Sequence, residues 1–194
     1  QLSLKEGFTV FREQQFSADH DSAGVKRIED ANLVRTQQFR EDMGPMAHPV
    51  RPESFVEINN FYTLTVYIKG AEVVRMLSLL VGAQGFLRGC SHYFEHYDGE
   101  AVTTDHLVGA MEAACDVDLS QFRRWYEQAG TPRIEVAGDF SPDKSRYCLR
   151  ISQNNPDSSG GRQPPLQLPI VVAIIERHLD DLAEFARIAL QQPD

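Results

Sequence analysis

From the first residues to about Pro132, apolar side chains recur at helical spacing, as in Leu4, Phe8 and Phe11 and again in Leu107, Val108, Met111, Ala114 and Cys115. This whole stretch is predicted to be helical. Residues 42–52 interrupt it, because Gly44, Pro45, Pro49 and Pro52 cannot sustain a helix in which proline removes a donor and clashes with the preceding turn. Two helical groups should therefore flank a loop. Near the end of the second group, Asp118 with Gln121 three residues on forms a capping-box pattern. Leu119, Phe122 and Tyr126 share a face behind it, and Gly130 and Pro132 stop the helix. Beyond Pro132 the period drops to two: Ile134 and Val136, then Tyr147, Leu149 and Ile151, alternate with polar neighbours. Residues 141–145, Ser-Pro-Asp-Lys-Ser, carry turn chemistry, so an antiparallel hairpin is expected.

Residues 154–161 have the composition of an unpacked loop, and a third strand is expected around Leu166 to Val172. Helical spacing then returns at Ile175, Leu179, Leu182, Ala186 and Leu190. The pattern divides the chain into a helical part (1–131), the start of a β domain (132–172) and a helical tail (173–194). Two or three strands cannot bury an apolar face by themselves, so the β part reads as the opening of a larger unit.

Composition narrows the partners. With 42% apolar and 24% charged residues the chain has the make-up of a globular domain. Its net charge of −9 disfavours nucleic acid and anionic lipid, and no local basic patch offsets it. The longest apolar run, Pro169 to Ile175, is far below the roughly 20 residues that span a bilayer, so no membrane span is expected. Cys90, Cys115 and Cys148 have no paired spacing, which fits reduced thiols and a cytoplasmic setting. Gln1 opens a segment with neither signal-peptide layout nor a helix cap, as expected of a start within a helix or domain.

Candidate chemistry is sparse. His92-Tyr93-Phe94-Glu95-His96 matches the H-x-x-E-H form of inverted zinc peptidases, where two imidazoles four apart on a helix could share a metal beside Glu95. The competing reading is two surface histidines near a helix end, since Tyr93, Phe94 and Tyr97 suggest packing through aromatics and Asp98-Gly99 ends the helix. His20 and His48 have no neighbouring ligands at metal spacing and are read as surface residues. Glu6, near a helix start, and Tyr67, among core-spaced apolar residues, carry no distinctive pattern. No nucleophile-elbow, P-loop or dinucleotide motif occurs.

The order of segments adds what single motifs do not. Leu2-Ser3-Leu4-Lys5-Glu6-Gly7-Phe8, Gly44-Pro45-Met46-Ala47-His48-Pro49, Asn59-Asn60-Phe61-Tyr62-Thr63-Leu64-Thr65-Val66-Tyr67-Ile68-Lys69-Gly70-Ala71, Asp118 to Tyr126 and Gly130-Thr131-Pro132 together resemble, in collinear order, the bacterial aminopeptidase N family of gluzincin zinc peptidases. The likeness runs over roughly residues 1 to 171 and stops where the family continues a β-sandwich. It implies an internal fragment of mainly α fold: the C-terminal helical part of a thermolysin-like catalytic domain, then the first strands of a small β-sandwich. It further implies that Glu6 falls on the third zinc ligand and Tyr67 on the catalytic tyrosine, and that the stretch matching His92 to His96 lies away from zinc. Peptides would be the substrates and the remainder of the enzyme the structural partner. The sequence contains no H-E-x-x-H, so tight zinc binding and activity are not expected of these residues alone, and their exposed apolar surface should favour self-association. A non-catalytic helical interaction module, or an independent zinc hydrolase using His92, Glu95 and His96, are the other readings.

Overall fold

In the computed structural model, residues 1–54, 57–156, 161–174 and 184–190 are described. Helix α1 (Leu2–His20) turns at Asp21 into α2 (Ala23–Leu33), where Ser22 accepts a hydrogen bond from the Val25 amide as its N-cap. A π-turn, Val34–Gln38, and the short α3 (Phe39–Asp42) close the first helical group. After the proline-rich loop, a 3₁₀ turn (Ile58–Phe61) leads into a second π-turn, Thr65–Lys69, continuous with the long helix α4 (Gly70–Tyr97). Helix α4 is broken at Gly82, whose φ of 72° lies in the left-handed region open to glycine. Helix α5 (Thr104–Cys115) follows, begun by a reciprocal Thr103–His106 cap.

The core lies between α1, α4 and α5. Leu4 and Phe11 of α1, Ala71, Val74 and Leu77 of α4, and Leu107, Val108 and Met111 of α5 are buried together, each set at helical spacing. Phe11 meets Phe86 edge to face at 5.5 Å, and the Arg75 guanidinium sits 5.6 Å from the centre of the Phe11 ring. Between α2 and α4, Arg27 binds both carboxylate oxygens of Glu72.

Helices α1 and α4 come into close contact at two glycines. A methyl group placed on Gly7 would lie 2.9 Å from the carbonyl carbon of Gly70, and one on Gly70 would lie 3.3 Å from the Gly7 α-carbon. Backbone thus meets backbone where the two helices cross. Beside this crossing, Ser3 Oγ donates to the Val50 carbonyl at 2.6 Å, tying the proline-rich loop to α1.

The predicted helix from Asp118 is reduced to one turn, α6 (Arg124–Glu127). The Asp118 carboxylate accepts from the Ser120 amide in a local turn, and the Gln121 side chain donates to the Pro165 carbonyl, so no capping box forms. The segment is held by tertiary contacts: Leu119, Phe122 and Trp125 are buried, and Trp125 Nε1 donates to the Gln167 carbonyl at 2.8 Å.

The hairpin is present as expected. Strands β1 (Arg133–Ser141) and β2 (Arg146–Asn154) pair antiparallel with Val136 opposite Ile151, joined through a 3₁₀ turn at Pro142–Lys144. Buried Gln153 exchanges two hydrogen bonds with Leu166, linking the hairpin to the segment that leads into β3 (Leu168–Ile174). The helical reading of the tail is corrected. Glu184–Leu190 is a strand, β4, paired antiparallel with β3 so that Val172 lies opposite Ala186. A spacing of four residues, as between Ala186 and Leu190, also suits a strand of period two, and pairing with β3 decides between them. The rest of the predicted tail helix, and residues 157–160 of the predicted loop, lie outside the described residues.

Two substitutions test the helix crossing. Gly7→Ala is expected to lower stability by about 1–3 kcal/mol through overpacking. Gly24→Ala, where an added methyl meets nothing within 4 Å, is expected to be neutral or stabilising. Urea denaturation of both variants reads the contrast.

Candidate active site

Glu6 stands in the first turns of α1 and Tyr67 in the middle of the π-turn that starts the α4 helix. The Gly7–Gly70 contact brings those two places together, since Gly7 follows Glu6 and Gly70 lies one turn beyond Tyr67. The Glu6 side chain is only 13% exposed, and its Oε1 accepts from Lys5 Nζ at 2.7 Å. The phenol of half-buried Tyr67 is held above its ordinary value, first by burial and then by the negative charge and hydrogen bonding of Glu6; Tyr62 adds to this and Lys5 opposes it. The Tyr62 and Tyr67 rings lie 6.2 Å apart. The hydrogen bond to Glu6 likewise holds the exposed Lys5 ammonium above its usual range. A carboxylate and a phenol thus converge at one point, with an ammonium and a second phenol around them.

π-Turns of this kind occur as interruptions within helices and often at functional sites. Here the π-turn is prepared by the residues before it. Thr63 Oγ1 accepts from the Val66 amide and bonds His48 Nε2 at 3.0 Å, while His48 Nδ1 meets the Pro49 carbonyl at 2.7 Å. His48 is therefore a half-buried link between the proline-rich loop and the turn carrying Tyr67, in place of the surface residue expected from its sequence. His20 agrees with its surface reading, with Nδ1 against the Phe16 carbonyl and the two rings 4.0 Å apart.

The H-x-x-E-H segment lies at the far end of α4. His92 and His96 face each other with ring centres 4.0 Å apart, and His96 Nδ1 bonds the His92 carbonyl at 2.8 Å. Glu95 is exposed. Among the described residues, no group of three or more His, Cys, Asp or Glu side chains is placed to hold a metal ion. His92, Glu95 and His96 are not brought together as such a group.

A family model described as the peptidase family M1 domain matches residues 1–126, a span that runs from α1 through the one-turn helix α6. The chain belongs to peptidase family M1. Aminopeptidase N of Escherichia coli (strain K12) is 51% identical over 177 residues, covering 91% of this chain and 20% of that protein. The aminopeptidase N of Haemophilus influenzae is 49% identical over the same length. The chain thus spans about a fifth (20%) of the length of these curated relatives. Among solved structures, Legionella pneumophila aminopeptidase A, crystallised with aspartic acid, superposes over 98% of this chain and 20% of its own, with a TM-score of 0.80 at 22% identity. That likeness shows the fold: the helical part of an M1 catalytic domain, followed by early strands.

For an M1 peptidase the implied metal is zinc, and one side chain among the described residues fits it. Glu6 is largely withdrawn from water, sits beside the Tyr67 phenol and pairs with the Lys5 ammonium, surroundings compatible with a carboxylate ligand. Among the described residues, Glu6 belongs to no group of three or more His, Cys, Asp or Glu side chains placed around a common metal position.

The Glu6–Tyr67 coupling has a direct readout. In metal-free protein, Glu6→Gln is expected to bring the ionisation of Tyr67 down toward the ordinary tyrosine value of about 10. The check is the phenolate absorbance lost on adding Tyr67→Phe to each background. An unchanged Tyr67 titration would show the two groups to be uncoupled.

Proposed function

We propose that these residues belong to a zinc-dependent aminopeptidase that removes N-terminal residues from peptides. In this reading Glu6 is one ligand of the metal and Tyr67 the hydroxyl that stabilises the transition state. The observation that supports it is the meeting of the Glu6 carboxylate with the Tyr67 phenol across the α1–α4 crossing. When bound, zinc supplies a Lewis acid that polarises a carbonyl and lowers the pKa of water.

The part played by this chain's own groups follows from their chemistry. With its titration raised, the Tyr67 phenol stays protonated at neutral pH and can donate a hydrogen bond. Negative charge grows on the scissile carbonyl oxygen as water attacks, so a donor aimed at that oxygen favours the transition state over the ground state. Glu6 pairs with Lys5 at 2.7 Å and stands beside the phenol. The H-E-x-x-H pair of histidines and its general base are expected from a preceding segment, so residues 1–194 by themselves are proposed to be inactive and to hold zinc weakly.

The remainder of the peptidase is the proposed structural partner. Phe16, Val25 and Ile28 on α1 and α2, and Val136, Phe140 and Tyr147 on the hairpin, are exposed apolar side chains that it could cover, and that would promote self-association without it. We place residues 132–172 at the start of a β-sandwich domain. The three free thiols, Cys90, Cys115 and Cys148, agree with a cytoplasmic location.

Two variants of the zinc-loaded peptidase carrying these residues test the roles. Glu6→Ala is expected to lose zinc on metal analysis. Tyr67→Phe is expected to keep zinc and KM while kcat falls on the order of 10² to 10³-fold. Near-normal peptide hydrolysis by either variant would refute the role given to that residue.

A further inference from the structure

The π-turn bearing Tyr67 is gripped at both ends by two adjacent acidic side chains of α3. At its start, Glu41 accepts from the Thr65 amide at 2.8 Å, from Thr65 Oγ1 at 2.5 Å and from the Leu64 amide at 3.3 Å, satisfying amides that an opening helical turn leaves free. At its end, Asp42 Oδ2 accepts from Lys69 Nζ at 2.9 Å, and the same ammonium donates to the Gly130 carbonyl at 2.7 Å. Thr131 Oγ1 adds a second bond to that Asp42 oxygen at 2.7 Å. Thr65 and Lys69 both face back onto α3, and Tyr67, midway between them, faces the other way onto Glu6.

The Asp42–Lys69 pair is an unusual choice if stability alone were at stake. The Asp42 side chain is fully buried and that of Lys69 is 8% exposed. Burial pushes the Lys69 ammonium down from its ordinary range and the Asp42 charge opposes that. An apolar pair of similar volume would commonly hold such a site as well or better, whereas an ion pair fixes a single register. A register is what a π-turn needs, because its i→i+5 bonding competes with ordinary α-helical winding, and one step of rewinding would rotate Tyr67 away from Glu6.

We propose that Glu41 and Asp42 are positioning residues that clamp the two ends of this π-turn and so set the height and rotation of the Tyr67 hydroxyl over the Glu6 carboxylate. The proposal rests on the reading of Tyr67 as the transition-state donor. Neither acid touches the reacting atoms, and both act through the turn.

The test is a double-mutant cycle in the zinc-loaded peptidase, with an aminoacyl p-nitroanilide as substrate. Glu41→Ala strands no buried charge and is expected to lower kcat about ten- to a hundredfold, with KM and zinc content held within about twofold. In the Tyr67→Phe background the same change is expected to cost less than about twofold more, because the group it positions is gone. Glu41→Gln, which keeps one accepting oxygen for the Thr65 amide, should recover part of the loss. Asp42→Asn would leave a buried ammonium unpaired, so the companion variant removes both charges together: Asp42→Leu with Lys69→Met should remain folded and lower kcat in the same non-additive way. Independently of activity, Glu41→Ala should speed hydrogen exchange at the Leu64 and Thr65 amides. An equal loss of kcat with and without Tyr67, or unchanged exchange at those amides, overturns the proposal. A loss in Tyr67→Phe with none in Glu41→Ala removes the proposal alone, whereas full activity in Tyr67→Phe removes the reading of Tyr67 and the clamp with it.

Discussion

Everything at the candidate site depends on one close approach, that of the Gly7 and Gly70 backbones where α1 crosses the start of α4. Helices with ordinary side chains at the contact keep their axes about 8–10 Å apart. With no side chain on either partner, the two main chains can come nearer, and the residues flanking the crossing are drawn inward together. Glu6 precedes one glycine and Tyr67 lies a turn before the other, so a packing contact becomes a chemical one. The apolar core, from Leu4 and Phe11 to Leu77 and Met111, packs the same helices together.

Around that contact the polar groups form a graded support. Lys5 and Tyr62 lie beside the carboxylate and the phenol; Thr63 and His48 organise the entry to the π-turn; Glu41 and Asp42 hold its ends from α3. Lys69 also reaches the Gly130 carbonyl, at the place where helices give way to strands. The boundary between the helical part and the hairpin is thereby wired to the turn that carries Tyr67, from 61 residues away in sequence.

Much of this was legible in the residues themselves. The helical first part, the proline-rich break, and the hairpin with its Pro-Asp-Lys turn all follow from period and turn chemistry, and the structure agrees. Glu6 and Tyr67 were not legible as a pair by pattern, because their meeting depends on a long-range crossing of glycines that no local period records; only the likeness to a peptidase family singled them out. The π-turns lack a spacing signature, so the acids of α3 read as ordinary residues at a helix end. Asp118 and Gln121 had the right separation for a capping box, yet local turn formation and the pull of Pro165 took both side chains elsewhere. In the tail, a four-residue spacing served helix and strand equally, and pairing with β3 settled Glu184–Leu190 as a strand.

The break at Gly82 has a mechanical meaning for the long helix. An unbroken rod of that length would carry a displacement from one end to the other almost undiminished. With its backbone turned into the left-handed region at Gly82, α4 behaves as two struts meeting at a joint. The far strut bears Phe86 and Gly89, the latter seated tightly against the Met111 thioether. The near strut has Tyr67 at its root, so the joint stands between the candidate site and the Gly89–Met111 contact.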